Sequence, residues 1–554
     1  MSYDKKGMKT VKHMKKTSLG LFRKTHACTL LFFMCFTPFM LLMSFDSALD
    51  AASETQRQAA PAPFAIEETT ISQIHAAFRS KRLTCRGLVE QYLKRIDALD
   101  KQGPALNAIT VVNPTALGEA DAMDRRLGRG GALPPLHCIP MVVKDNFETI
   151  GLQSAGGSII LKGFVSDKDA FQVRKIKEAG AIVLAKSNMA EYAFSPYETL
   201  NSLQGHTKNP YALDRVPAGS SGGTAAAVAA NFAAVGLGSD TGNSIRGPSS
   251  HNALVGIRST MGLTSRAGVI PLSYLADIAG PMARTVEDAV AVFQVIVGED
   301  PDDPMTARSR GRAIPTYAKS LDKAGLKNAR IGILRQAYET PTTDEEIVKV
   351  FMKAVDDLKA GGATIVDPVT LDLPSRGQGG GGGTCRGFKY DINEYLAARG
   401  QKAPAHSLDE ILASPLMPQL PESVQQRLKQ SQNATPQGPD SDACKADAAY
   451  RTAFGAAVTA AMDTMQLDAF VYPTWSNPPR LIGDLKSPHG DNSQRFSPTS
   501  GFPAISVPMG YTRDNQLPAG MTFFGRAWDE ATLIKLAYGY EQATKHRRPP
   551  LVGR

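Results

Sequence analysis

Residues 217–250 read PAGSSGGTAAAVAANFAAVGLGSDTGNSIRGPSS, and both the fold and the chemistry turn on this stretch. Gly219-Ser220-Ser221-Gly222-Gly223 is a small-residue turn that runs straight into Thr224-Ala-Ala-Ala-Val-Ala-Ala, a helix slim enough to pack closely against its neighbours. VGLGSD (235–240) then reads as a buried strand, and Thr241-Gly242-Asn243-Ser244 forms a second turn. Two Gly/Ser turns on either side of one helix–strand unit can bring their hydroxyls together. Taken alone, a Ser/Gly turn says little, since most such turns cap helices or ease packing.

Strand-like runs alternate with helical ones on both sides of this stretch. Upstream, Ile71, Ile74 and Phe78, and then Val89, Tyr92, Leu93 and Ile96, mark two amphipathic helices. AITVV (108–112) precedes a helix over 115–127, IPMVVK (139–144) reads as a buried strand, a helix spans 170–179, and AIVLAK (181–186) reads as another strand. Downstream, ARIGILR (329–335), DAFVYPT (468–474) and AISVPMGY (504–511) read as strands, and helices are expected near 344–360 and 528–543. Alternation of this kind argues an α/β domain with the sheet inside and helices outside. The block from about 300 to 465 has a more polar texture and is expected to be an insertion that shapes the substrate mouth. Its glycine run, SRGQGGGGGTCRG (375–387), lacks the Gly-Lys-Ser/Thr ending of a phosphate-binding loop and reads as a plain loop.

The 217–250 stretch resembles the amidase signature family, whose motif sets a GSSGG turn some twenty-four residues before a second serine in a GGSIR turn. Ser220 and Ser244 stand at that spacing. The family's third member is a lysine at a strand end in a Lys-Asp-Asn setting, and Lys144 in PMVVKDNF fits it. AKSNMAEYAF (185–194), GPMARTVEDA (280–289), GFPAISVP (501–508) and the segment 520–544 are similar to other family segments, so the resemblance covers roughly residues 70–545. It implies one large α/β/α domain over 69–554, a mixed central sheet covered by helices on both faces.

The resemblance also implies a mechanism. A serine hydroxyl is a poor nucleophile until a base removes its proton. Neither turn holds a histidine, whereas a lysine whose pKa is lowered by burial can serve as a neutral amine. Ser244 would be the nucleophile, Ser220 the proton relay after a cis Gly219–Ser220 peptide, and Lys144 the general base. Backbone N–H groups of Thr241, Gly242, Asn243 and Ser244 would receive the oxyanion. Gly219, Ser221, and Asp240 paired with Arg246, would brace the turns. Asn243 stands where the usual motif has a second glycine, and asparagine is a good substitute if the position needs a positive φ. Lys186 also ends a strand but lacks the Lys-Asp-Asn setting and reads as structural. Met189 and Phe194 resemble residues near the family's acyl pocket, and core packing explains them equally well.

The implied reaction is hydrolysis of a small-molecule amide (an anilide, a peptide amide or a carbamate) without metal or organic cofactor. A carbamate or ester hydrolase with the same triad stays open. So does one component of a glutamine-dependent tRNA amidotransferase, against which an exported terminus argues. From another class, an inactive binding protein on the same fold is opposed by the intact Lys144, Ser220 and Ser244.

The bulk properties fit this reading. The chain has 554 residues, 42% hydrophobic and 21% charged, ordinary values for a globular enzyme. Its net charge of +9 is concentrated at the start, where residues 1–50 carry eight Lys/Arg against three acids. That basic segment precedes an uncharged apolar run, Ala27 to Phe45, which is a targeting pattern and not a nucleic-acid footprint. Residues 1–51 are expected to be a signal peptide, with a membrane anchor as the alternative, and 52–68 a linker. Nucleic acid is excluded as a partner, a membrane is a partner only if the leader is retained, and a homodimer is compatible. Export, to a periplasm or the medium, permits disulfides, but Cys85, Cys138, Cys385 and Cys444 are too scattered to define a pairing.

Overall fold

The computed structural model describes residues 64–128, 132–375 and 384–552. The leader, most of the linker and the core of the glycine run therefore lie outside the described residues. Eleven strands form one mixed sheet: β1 Ile109–Val112, β2 Pro140–Lys144, β3 Ile182–Ser187, β4 Val235–Asp240, β5 Val255–Arg258, β6 Ile278–Ala283, β7 Arg330–Ile333, β8 Thr364–Val366, and, after two short strands, β11 Ala469–Pro473, β12 Ala504–Thr512 and β13 Leu517–Phe524. The spatial order is β1-β3-β2-β4-β6-β5-β12-β13-β11-β7-β8. β3, β2 and β4 run parallel, as do β11, β7 and β8, and an antiparallel middle joins the two groups. The short pair, β9 Thr384–Cys385 and β10 Pro436–Gln437, stands apart.

The parallel strands β2, β3 and β4 are buried along their whole length, which is why they read as continuous apolar runs. Helix Gly222–Ala229 packs on β2, β4 and β6, and every one of its residues is buried. Nothing larger than valine occurs in it, so it can lie close to the sheet on one side and its neighbours on the other. Cationic side chains bond the buried carbonyls at its C-terminal end: Arg284 Nη1 reaches that of Val228 at 3.2 Å and Arg95 Nε that of the capping Ala230 at 2.7 Å, and Arg284 Nη1 also reaches the Ala233 carbonyl, beyond the helix, at 2.9 Å. Helices Val286–Ile296, Glu345–Ala360 and Glu530–Thr544 pack on the sheet and on one another.

Several strands were not legible locally. β6 contains Gly280 and Pro281, and β13 contains Pro518 and Gly520, residues that break a strand pattern. Pro281 is tolerated in mid-sheet because pairing of β6 with β5 stops at Met282. The 300–465 block is divided in the fold: β7, helix Glu345–Ala360 and β8 complete the edge of the central sheet. Helices between Phe388 and Asn433 instead build a second small core from Phe388, Ile392, Tyr395, Leu408, Ile411 and Leu428. That core rests on Ile160, Phe164, Tyr192 and Ile270 of the main body. Two disulfides, Cys85–Cys138 and Cys385–Cys444, pair the four cysteines downstream of the leader.

Candidate active site

β2 and β4 are parallel neighbours, so their C-terminal ends lie side by side, and both turns of the 217–250 stretch open at that edge. The first turn leaves no room for side chains at its glycines. A Cβ at Gly219 would strike the carbonyls of Ser195 and Glu198, one at Gly222 the Thr199 hydroxyl, and one at Gly223 the Asn188 carbonyl. The Gly219–Ser220 peptide is cis. The Ala190 N–H donates to the Ser220 carbonyl at 3.0 Å, and the Ser221 N–H to the Ser244 carbonyl at 3.3 Å, which ties the first turn to the second. Ser220 is buried and Ser244 is only 4% exposed.

Lys144, the last residue of β2, is buried and points at this junction. Its Nζ donates to Ser220 Oγ at 2.7 Å, to Ser239 Oγ at 2.9 Å and to the Ser239 carbonyl at 3.3 Å. Asn146 Nδ2 donates to the same Ser239 hydroxyl at 3.0 Å. Burial lowers the Lys144 pKa to about 7, against the opposing pull of Asp277 and Asp240. Near neutrality a large fraction of it is therefore uncharged and able to accept a proton.

The second turn is anchored by ion pairs. Asp240 accepts Arg246 Nε at 3.1 Å and Arg258 Nη1 at 3.0 Å, and its Oδ2 also accepts the Ile245 N–H at 3.1 Å. Burial pushes the Asp240 pKa up, but the two guanidiniums outweigh it and hold the carboxyl at about 2. Arg246 Nη2 also bonds the Gly242 carbonyl, and Thr241 Oγ1 bonds Asp277. Asp240 and Arg246 thus pair at the foot of the turn.

The match of a family model described as Amidase to residues 87–534 decides the family. The chain belongs to the amidase family. A probable amidase of Arabidopsis thaliana is 34% identical over 94% of this chain and 98% of its own length. Among solved structures, the native peptide amidase of Stenotrophomonas maltophilia superposes with a TM-score of 0.79 at 36% identity, covering 89% of this chain and all of that one. An amidase family protein of Bacillus anthracis superposes with a TM-score of 0.77 at 30% identity, covering 88% of this chain and 93% of that one. The protein is an amidohydrolase acting on amides.

In this amidase Lys144 and Ser220 meet side chain to side chain, Ser244 is joined to the first turn through its backbone carbonyl, and the structure adds partners that the sequence did not single out. Ser239 and Asn146 orient the lysine. Ser239 adjoins the motif residue Asp240, and Asn146 lies two residues beyond Lys144, which is the signal that could have found them. Asn243 is not among the described residues with positive φ, so the position does not call on asparagine's backbone freedom. Its side chain instead donates to Asp491 Oδ1 at 2.8 Å. Lys186 is also buried, but its Nζ is taken up by the carbonyls of Phe147 and Gln153, at 2.6 and 3.0 Å, and by Ser154 Oγ at 2.9 Å. These bonds fasten the loop after β2 rather than either serine turn. Ser221 Oγ donates to the Ser239 carbonyl at 3.1 Å, a brace between turn and strand. Phe194 lines a cavity of about 490 Å³ together with Ala190, Tyr197, Arg427, Arg480 and His489, whereas Met189 is wholly buried.

Proposed function

We propose that this amidase hydrolyses carbon–nitrogen bonds through an acyl-enzyme on Ser244, with Ser220 as relay and Lys144 as general base. The observation that carries the reading is the buried 2.7 Å contact between Lys144 Nζ and Ser220 Oγ, beside a turn whose backbone is bonded to Ser244. As Ser244 Oγ attacks the amide carbon, its proton passes to Ser220 Oγ while the Ser220 proton passes to Lys144 Nζ. Charge on the carbonyl oxygen falls among the backbone N–H groups of Thr241, Gly242, Asn243 and Ser244, where each donor is typically worth roughly 3 kcal/mol. On collapse the proton returns through Ser220 to the leaving nitrogen. Water then repeats the sequence on the acyl-enzyme and releases the acid.

The peptide amidase among the similar structures favours peptide amides as substrates. The testing experiment compares a peptide amide, an anilide, a free primary amide and a carbamate on purified mature protein, with Ser244→Ala as the blank. Peptide amide turnover above the other three is expected. Preferred turnover of the carbamate would overturn the substrate assignment while leaving the triad standing.

Export is part of the same proposal. Two disulfides support it, because stable cystines are rare in reducing compartments. N-terminal sequencing of native protein should find a mature chain that begins near residue 51. An intact Ala27–Phe45 run in a membrane fraction would mean an anchored enzyme instead.

A further inference from the structure

Asp491 lies outside the triad and outside the Asp240 cluster, yet it touches the oxyanion turn directly. Asn243 Nδ2 donates to its Oδ1 at 2.8 Å. The carboxylate is itself held by the Ser493 N–H on Oδ1 at 3.1 Å and by Gln494 Nε2 on Oδ2 at 2.8 Å. Gln494 lies against the neighbouring turn residue, since a Cβ on Gly242 would come within 3.0 Å of its Oε1. The Asn243 amide occupies the space that a Cβ on Gly247 would need, and the Trp475 ring crowds the same spot. Trp475 Nε1 closes the arrangement with a bond to the Gly247 carbonyl at 3.0 Å. Arg246 Nη1 reaches the Ser493 carbonyl at 3.2 Å, so the 491–494 segment is itself fixed to the ion-pair cluster.

Asn243 is fully buried, and its Oδ1 has no hydrogen-bond partner among the described residues. A buried acceptor without a donor is a cost, so an asparagine here is not explained by its own satisfaction. What its side chain supplies is the bond to Asp491. Backbone donors stabilise an oxyanion only if they are in place before the charge appears, and displacements of about 1 Å at such sites cost large factors in rate.

We propose that Asp491 is a positioning residue of this amidase: by gripping the Asn243 amide it sets the N–H groups of residues 242–244 where the oxyanion forms. The proposal rests on Ser244 as nucleophile. It predicts that Asp491 and Asn243 act as one unit, and that the loss appears in kcat, since the oxyanion exists only past the ground state.

The test is a double-mutant cycle on one anilide that the wild type turns over, using Asp491→Ala, Asn243→Ala and the double variant, with Asp491→Asn and Ser244→Ala alongside. Each single variant should lower kcat by roughly tenfold or more and leave KM within about threefold. The double variant should be no worse than the more impaired single, because both remove the same restraint. Asp491→Asn, whose amide oxygen still accepts from Asn243, should regain most of kcat. If Asp491→Ala does not fold, as judged by its melting curve, the cycle runs with Asp491→Leu, which fills the space but accepts no bond, and Asn243→Ala alone must still show the kcat loss. Additive losses, singles within about twofold of wild type, or a loss carried by KM would overturn the proposal. An active Ser244→Ala protein would instead overturn the nucleophile assignment, so the two failures are distinguishable.

Discussion

Lys144 and Ser239 are bonded twice, from Nζ to the hydroxyl at 2.9 Å and to the carbonyl at 3.3 Å. A neutral amine has two hydrogens and one lone pair. As an ammonium, Lys144 donates to Ser220 as well; in the neutral form that the proposed mechanism uses, with both hydrogens given to Ser239, the lone pair is left for the Ser220 hydroxyl. Ser239 is thus what turns a buried lysine into a directed one.

Removal of this guide is the first prediction. Ser239→Ala should lower kcat about tenfold, since general-base contributions run to roughly 10²–10⁴ and the carbonyl bond remains. Hydrogen-bond acceptors favour the charged amine, so the variant's activity should also persist to lower pH than that of the wild type. A pH–rate profile checks both effects.

Lys144→Met should lower turnover by orders of magnitude at a wild-type fold, and Lys186→Met should do far less. In the proposed mechanism the neutral amine is the active form, so kcat/KM should rise with pH through a midpoint of about 7, where burial has brought the lysine. A midpoint near that of a free lysine, ~10.4, would remove Lys144 from this role.

The same shift sets a stability trend. The folded amine titrates at about 7 and the unfolded one at its ordinary value near 10.5. Between those values the unfolded chain holds the extra proton, so wild-type stability from this group rises with pH. Below about 7 both states are protonated and the full cost of a buried charge is felt. Lys144→Met should therefore melt higher than wild type at about pH 6, and the gap should narrow steadily toward about pH 10 in differential scanning calorimetry.

Ser244→Ala should abolish both turnover and labelling by a serine-directed phosphonate. Ser221→Ala removes only a brace to Ser239, and should keep most of its labelling. Mass spectrometry of the labelled peptide identifies the modified serine, and a label on any other serine in Ser244→Ala protein would refute the assignment.

Asp240→Asn leaves Arg246 and Arg258 buried without their counter-charge. Loss of one partner from a buried cluster costs about 3–5 kcal/mol, so denaturant titration should show a large drop in midpoint. Because Asp240 is held at about 2, the wild type should keep this contribution down to about pH 4, and lose it only as the carboxyl protonates through its folded value.

The site was readable in the sequence where its chemistry is local. The two serine turns flank one helix and one strand, and Lys144 ends a strand whose apolar run announces burial. What could not be read is contributed from afar. Asp491 meets Asn243 across 248 residues of chain, and no short pattern marks a loop carboxylate as a partner of a turn. β6 and β13 were hidden by their own prolines and glycines, and β8 is three residues long with an exposed first residue. The cystine pairing depends on helix and strand ends meeting in space: Cys85 opens a helix, and Cys138 lies just ahead of β2. Family resemblance singled out Lys144, Ser220 and Ser244 as candidates, while the contacts around them needed the folded chain.

Each cystine closes a long piece of chain, with a sequence separation of 53 for Cys85–Cys138 and 59 for Cys385–Cys444. Closures of that length restrict the unfolded ensemble by about 4 kcal/mol apiece. The second encircles the helices from Phe388 to Asn433, whose small core is separate from the main core and rests on Ile160, Phe164, Tyr192 and Ile270. A preparation made in a reducing cytoplasm is thus a different material from one that matured under oxidation, with the same catalytic residues but a lower tolerance of heat. Batches should be compared by free-thiol content before their rate constants are compared.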